Sequence, residues 1–161
     1  MRRRVILSLL LALLVGGFLL TAALLGMGEG GTERLGFIDG VTTNGNYGVI
    51  FDEAEWLTGA EGEDAAIEAG LCTEATRSSC LPNDYIIRNT SGATRVYEFA
   101  NDVVITMQTL RMEQEGVRPT VISRQEFEQL INNPSQHWRD LPYRITIHNG
   151  LVRKVDEVYV P

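Results

Sequence analysis

Residues 143–152 read Tyr-Arg-Ile-Thr-Ile-His-Asn-Gly-Leu-Val and carry the clearest fold signal in the chain. Tyr143, Ile145 and Ile147 alternate with polar residues, which is the period-two pattern of a strand with one buried face. Asn149-Gly150 follows, and this dipeptide tolerates the positive φ angles of a tight hairpin turn. The stretch therefore predicts an antiparallel hairpin.

The same two kinds of signal recur along the chain. Strands are predicted around a second Asn-Gly turn and around the polar turn at 89–92, over residues 35–42, 47–52, 84–88, 94–99 and 102–108. Thr58 with Glu61, and Ser123 with Glu126, have the spacing of helix capping boxes. They predict a helix over residues 59–69, with Gly70 just past its end, and a second helix that starts at the Ser123 cap and is ended by Asn132-Asn133-Pro134.

Seven or so short strands with two short helices indicate an α+β, β-rich domain. We expect an antiparallel, partly closed barrel of the OB or SH3 kind, because closure removes exposed sheet edges. A two-sheet sandwich is the alternative architecture.

The first 27 residues resemble a membrane segment. Arg2, Arg3 and Arg4 precede 21 uncharged residues, 5–25, whose only polar side chains are Ser8 and Thr21. As a helix they would span roughly 32 Å, the thickness of a bilayer core. The positive-inside rule then predicts a single-pass protein of the cytoplasmic membrane with its amino terminus inside. A cleaved signal peptide, leaving a secreted protein, is the alternative. Residues 28–34 are expected to be a flexible spacer, and residues 35–161 an extracytoplasmic domain.

The charge excludes one class of partner. From Met27 onward the chain has 11 basic and 21 acidic residues, a net charge of −10. Such a surface repels phosphate backbones, so we expect no nucleic-acid partner.

The two cysteines, Cys72 and Cys80, are predicted to form a structural disulfide, which an extracytoplasmic compartment permits. A redox pair would normally read Cys-x-x-Cys, and a zinc site would need more Cys or His nearby.

An acidic run gives the one candidate for a metal site. Residues 52–74 hold eight carboxylates and no basic residue. On the predicted helix Glu61, Asp64 and Glu68 share one face, so they are weak candidates for a divalent cation. The ordered calcium loop of an EF-hand is missing, and a solvated acidic face explains the same pattern.

No catalytic residues or cofactor are predicted. The two histidines, His137 and His148, fall in polar surroundings without a Gly-x-Ser-x-Gly segment, and no phosphate-binding glycine loop is present.

The sequence predicts different roles for the two tryptophans. Trp56 is expected to pack helix against barrel. Trp138 and Arg139 lie in the loop sequence His-Trp-Arg-Asp and resemble an interface hot spot, although Trp138 could equally cover the edge of the core. If Trp138 serves an interface, replacing it by Ala should weaken partner capture and leave the melting temperature nearly unchanged.

Three segments resemble a group of small exported or membrane-tethered bacterial proteins. They are Glu-Trp-Leu-Thr-Gly at 55–59, Leu-Pro-Asn-Asp-Tyr-Ile-Ile-Arg-Asn at 81–89, and residues 143–161 with their Asn-Gly turn. The resemblance covers about residues 36–161 and implies a fold and an extracytoplasmic location. It assigns no catalytic residue. This chain has no cysteine directly at the end of its apolar run, so the lipid anchor of many such proteins is not implied.

These observations predict a membrane-anchored extracytoplasmic binding or structural module without catalytic activity, acting on an envelope protein or polymer. An acidic-surface binder of divalent cations or small ligands is the alternative class. A small envelope hydrolase is a third.

Overall fold

A computed structural model describes residues 31–43 and 45–161. The expected membrane segment, residues 1–27, lies outside the described residues. Within the described residues no helix is long and apolar enough to cross a membrane. The first strand begins at Thr32, so residues 32–34 belong to the sheet and not to the spacer expected there.

The described part of the chain contains eight strands and three α-helices. The strands are β1 Thr32–Thr42, β2 Gly48–Glu53, β3 Glu55–Thr58, β4 Tyr85–Arg88, β5 Thr94–Met107, β6 Thr120–Ile122, β7 Pro142–His148 and β8 Leu151–Glu157. The helices are α1 Gly59–Glu68, α2 Met112–Glu115 and α3 Arg124–Ile131, with 3₁₀ turns at Glu74–Ser79 and His137–Asp140.

Five of the strands close into a barrel in the order β1-β2-β5-β8-β7-β1. Four of the neighbouring pairs are antiparallel, whereas β5 and β8 run parallel. The α+β class and the barrel predicted from the sequence are therefore confirmed, but the barrel is closed and mixed instead of partly closed and antiparallel. In the sequence, α3 lies between β5 and β7. The hairpin of β7 and β8 that follows places β8 beside β5, and these two strands run in the same direction.

The strand β5 closes the barrel, and it is longer than the sequence predicts. Residues 94–99 and 102–108 were expected to form two strands, but Thr94–Met107 is one strand of 14 residues. Its first half pairs with β2, and its second half pairs with β6 and β8. A register irregularity between Phe99 and Val104 separates the two halves. Because β5 pairs with β2 along one half and with β8 along the other, it joins these two strands and closes the sheet.

The barrel interior is the hydrophobic core, and α3 packs on it. Phe127 and Ile131 of this helix are fully buried. The ring of Phe127 meets that of Tyr143 edge to face, with centroids 5.9 Å apart. The helix is capped at the predicted residue, since the Ser123 side chain accepts a hydrogen bond from the Glu126 N–H, which is one of the two bonds of the predicted capping box.

The helix α1 begins at Gly59 as predicted and ends at Glu68, one residue earlier than predicted, but its start lacks the expected side-chain cap. Thr58 makes no side-chain capping bond, so the predicted capping box was wrong. At the other end Gly70 has φ +72° and donates to the Ile67 carbonyl, while Leu71 donates to that of Ala66. This pair of bonds is a Schellman motif, which confirms Gly70 as the residue just past the helix.

Candidate functional site

A groove lies at the end of the barrel where β5 and β8 end and β7 begins. We call it the barrel-end groove; its volume is about 670 Å³, within the usual range for ligand sites. It is lined by Thr109, Leu110, Met112, Glu113, Gln114, His137, Trp138, Leu141, Glu157, Val158, Tyr159, Val160 and Pro161. Most of these side chains are apolar, and none of these described lining residues is a lysine or an arginine.

The segments that follow β5 and β8 form two walls of the barrel-end groove. Because β5 and β8 are parallel, the segments that follow them leave the barrel at the same end. The first carries α2, on which Met112 is 47% exposed. The second is the extended segment 158–161, held by a hydrogen bond from the Val158 N–H to the Pro142 carbonyl (2.8 Å). At its far end the Asn83 side chain donates to the Pro161 carbonyl (3.4 Å).

Trp138 lies between the core and the barrel-end groove. The residue is only 8% exposed and belongs to the core cluster of the barrel. Its indole N–H donates to the Gln136 side chain (2.9 Å), and the His137 ring stacks on it with centroids 4.7 Å apart. Its main-chain carbonyl accepts the hydroxyl proton of Tyr143 (2.9 Å). These contacts fix the indole as part of the groove floor and as a core residue.

Arg139 lies apart from the barrel-end groove, although it follows Trp138 directly. Its Nε donates to the Ile131 carbonyl (2.6 Å), at the last residue of α3. A cation in this place satisfies a free carbonyl and complements the negative end of the helix dipole. The structure thus places the two predicted interaction residues in different surroundings.

Glu157 is a residue of the barrel-end groove that the sequence interpretation missed. It is 2% exposed, and its carboxylate accepts three hydrogen bonds. The Gln108 N–H (2.8 Å) and Thr109 N–H (3.2 Å) donate to Oε2, and the Thr109 hydroxyl (2.5 Å) donates to Oε1. The available signal was its spacing, because Glu157 follows the buried Val155 by two residues and therefore points inward.

The phenol of Tyr143 is buried against the same end of the barrel. Burial, and then the negative charge of Glu157, raise the pKa of Tyr143 well above its ordinary value. The hydroxyl therefore stays protonated and acts as a hydrogen-bond donor to Trp138.

The candidate metal ligands Glu61, Asp64 and Glu68 do not form a common site. Asp64 pairs with Arg77 at 2.7 Å, and Glu68 pairs with Arg88 at 3.7 Å. Within the described ranges no group of three or more His, Cys, Asp or Glu side chains is arranged to hold a metal ion.

The 3₁₀ turn that follows α1 supplies a base to part of the acidic run. It brings Arg77 back to the helix, where the guanidinium also meets Glu63 and Glu74. Hydrogen bonding to Glu74 and Asp64 raises the pKa of Arg77, and the same contact lowers the pKa of Glu74. Residues 52–74 include no basic residue, but in the folded protein Arg77, from later in the chain, lies next to several of their carboxylates.

The predicted disulfide between Cys72 and Cys80 is present, with a Cα–Cα distance of 5.6 Å. It closes the loop that contains the 3₁₀ turn and Arg77, just after α1.

Trp56 was expected to be a core residue, and this expectation was wrong. The side chain is 38% exposed and stacks on Tyr85, with ring centroids 4.0 Å apart and an interplanar angle of 21°. The reason is that β3 pairs with β4 in a separate two-stranded sheet, outside the barrel.

Comparisons of the chain with protein-family models, with curated proteins and with solved structures found no match.

Proposed function

We propose that this protein is a membrane-anchored, extracytoplasmic binding module without catalytic activity. Its ligand is an extended segment of an envelope protein, whose apolar side chains enter the barrel-end groove. The observation that carries this proposal is the groove itself, which is large enough for two or three side chains and lined mostly by apolar ones.

The chemistry of the lining favours a protein segment over an anionic polymer. The acidic residues and histidines that line the groove are Glu113, Glu157 and His137, with no lysine or arginine among the described lining residues. Polymers rich in phosphate or carboxylate would meet negative charge there without a cation to bind them. A neutral or basic segment with apolar side chains meets no such cost.

We also infer that the barrel is of the OB type. Counted along the chain, the barrel strands are β1, β2, β5, β7 and β8, so the third and fifth are the parallel pair, and α3 lies between the third and fourth. This is the Greek-key arrangement of OB barrels, a fold that binds extended polymers on its surface and loops. The long insertion between the second and third barrel strands is a departure from the simplest form of that fold.

The location part of the proposal is supported by sequence features. Three arginines precede a long apolar stretch, and a disulfide follows in the domain. The resemblance to exported bacterial proteins agrees with the same location.

The proposal can be tested by site-specific photocrosslinking in cells that produce the full chain. A photoreactive phenylalanine analogue replaces Met112 in one variant and Tyr159 in another, and both positions are exposed at the groove. The matched control places it at Val96, which is exposed on β5 and does not line the groove. We expect one discrete envelope protein to be captured from Met112 and Tyr159 but not from Val96, with the crosslink on an apolar segment. Capture of lipid alone, or of the same products from all three positions, would contradict the proposal.

A further inference from the structure

The barrel-end groove contains an unpaired strand edge. The segment 158–161 continues β8, and the Val158 N–H still donates to Pro142, the first residue of β7. Before Pro142 the neighbouring chain turns away into the 3₁₀ turn His137–Asp140. The N–H groups of an extended chain alternate in direction, so the Val160 N–H points to the same side as that of Val158, where β7 no longer runs. We call the main-chain N–H and C=O of Val160 the Val160 edge.

The Val160 edge has no hydrogen-bonding partner among the described residues. Val160 is nevertheless half-buried and lines the groove. Pro161 follows, and its ring disfavours a helical conformation at the residue before it, so Val160 is held extended before any ligand arrives. Free main-chain groups of an extended segment are the template to which a peptide adds as a further strand.

The groove beside the Val160 edge suits the side chains of such a strand. Trp138 and Leu141 come from the segment before β7 and Met112 comes from α2, and all three line the same groove. Side chains alternate in direction along a strand, so every second residue of an added strand enters the groove. Main-chain hydrogen bonds then supply affinity, and the groove supplies the preference for apolar residues.

The charge of the groove selects a further residue of the added strand. Glu113 and Glu157 line the groove, whereas the nearby bases Arg111 and Arg118 both pair with Glu115. Glu157 is buried and already accepts three hydrogen bonds. Glu113 is exposed and forms no salt bridge within the described residues. It is therefore the carboxylate that a Lys or Arg side chain of the ligand can reach.

We propose that the ligand of the barrel-end groove binds as an added β-strand that is hydrogen-bonded to the Val160 edge. Alternate apolar side chains of this strand enter the groove, and a Lys or Arg side chain of the strand meets Glu113. This inference rests on the proposed function, because its premise is that the groove binds an extended protein segment. It adds how that segment is held.

The test measures photocapture in cells that produce the full chain, with the photoreactive residue at Met112. Val160→Pro, which has no N–H, is compared with Val160→Ala, which keeps the N–H and loses most of the side chain. Glu113→Gln is compared with Glu98→Gln, an exposed acid on β5 that does not line the groove. The melting temperature of each variant is measured alongside, and the crosslinked segment is identified by mass spectrometry.

We expect Val160→Pro to capture about three- to ten-fold less partner than Val160→Ala, the loss of one main-chain hydrogen bond. Both variants should melt at the same temperature, because the Val160 N–H has no partner among the described residues. Glu113→Gln should lower capture about two-fold, the loss of one exposed ion pair, and Glu98→Gln should leave capture unchanged. The crosslinked segment should alternate apolar and polar residues and include Lys or Arg.

A second measurement does not depend on the folding of Val160→Pro. Synthetic copies of the crosslinked segment each carry one N-methyl group, at a different residue in each copy, and bind to the full chain in micelles of an uncharged detergent. Successive N–H groups of an added strand face opposite sides. Methylation of the residue that donates to Val160 should therefore weaken binding at least about three-fold more than methylation of either neighbour.

Two kinds of failure are distinguishable. Equal capture by Val160→Pro and Val160→Ala, or equal binding of all methylated copies, overturns strand addition, while capture by the wild-type chain leaves the proposed function standing. Equal capture by Glu113→Gln and Glu98→Gln overturns the placement of the basic residue. If the wild-type chain captures only lipid or a second copy of itself from Met112, the proposed function is contradicted and this inference falls with it.

Discussion

Tyr143 and Glu157 lie opposite each other on β7 and β8, and both are buried where the barrel meets its groove. Their side chains hydrogen-bond to different segments of the chain. The Tyr143 hydroxyl donates to the Trp138 carbonyl, while the Glu157 carboxylate accepts from Gln108 and Thr109. Each polar group thus fixes one of the segments that wall the barrel-end groove. The shape of the groove therefore depends on these two buried polar side chains of the barrel.

The alkaline stability of the protein should depend on Tyr143. A tyrosine in an unfolded chain releases its proton near pH 10, whereas burial and Glu157 raise the pKa of Tyr143 in the folded protein. Stability from this group is therefore complete below about pH 10 and is lost as the pH rises above it, because only the unfolded state then releases the proton. Tyr143→Phe should flatten this decline. Urea unfolding of both proteins between about pH 8 and 11 measures it. Parallel curves for the two proteins would contradict the assignment.

Removal of the Glu157 carboxylate should destabilise the fold. Glu157→Ala leaves the two N–H groups and the hydroxyl that it binds without their acceptor, and hydrogen bonds to a charged group contribute about 1.5–3 kcal/mol each. We expect a loss of at least about 2 kcal/mol in the free energy of unfolding, measured by denaturant titration. The control is Glu113→Ala, an exposed acid of the same groove, which should change stability by less than about 0.5 kcal/mol. Similar losses for the two variants would show that Glu157 has no special structural role.

Trp138→Ala should lower the melting temperature, contrary to the expectation that an interface role would leave it nearly unchanged. The indole is part of the core, and truncating a buried Trp to Ala costs about 3–5 kcal/mol. Met112→Ala, at an exposed position of the groove, should lower stability by less than about 0.5 kcal/mol. Calorimetry of both variants distinguishes them. A Trp138→Ala protein that melts with the wild type would place the indole outside the core.

Reduction of the Cys72–Cys80 disulfide should lower stability modestly. Its short loop limits the chain-entropy effect to about 2.6 kcal/mol, and the strands of the barrel contain neither cysteine. The double variant Cys72→Ser with Cys80→Ser should therefore keep the barrel and unfold at lower temperature. Thermal melts with and without reductant measure the difference in the wild type. The double variant serves as the control that should not respond to reductant.

Calcium should leave the melting temperature unchanged. Asp64 and Glu68 are already paired with Arg77 and Arg88, so an ion would have to displace a guanidinium from each carboxylate. A ligand specific for the folded state always raises the melting temperature when it binds. Melts of the full chain with millimolar calcium and with chelator test this, and a clear rise with calcium would restore the cation-binding hypothesis.

The elements that the sequence predicts well are those whose signals are local. The hairpin at Asn149-Gly150, the Ser123 cap of α3 and the Gly70 end of α1 depend on neighbouring residues alone, and all three are present. The strand β3 and the short β6 were missed, because four and three residues give too little periodicity to detect. The disulfide was also predictable, since two cysteines in a domain expected outside the cytoplasm leave few alternatives.

The same distinction between local and long-range signals applies to the individual side chains. From the sequence alone followed the α+β class, the acidic surface and which residues alternate along each strand, because these are set by composition and by the period of a strand. Only the tertiary structure placed β8 parallel to β5, brought Arg77 and Arg88 onto the acidic run, buried Glu157 and left Trp56 exposed. Each of these depends on which distant segments become neighbours when the barrel closes. That choice comes from packing the whole core and not from any local stretch of the chain.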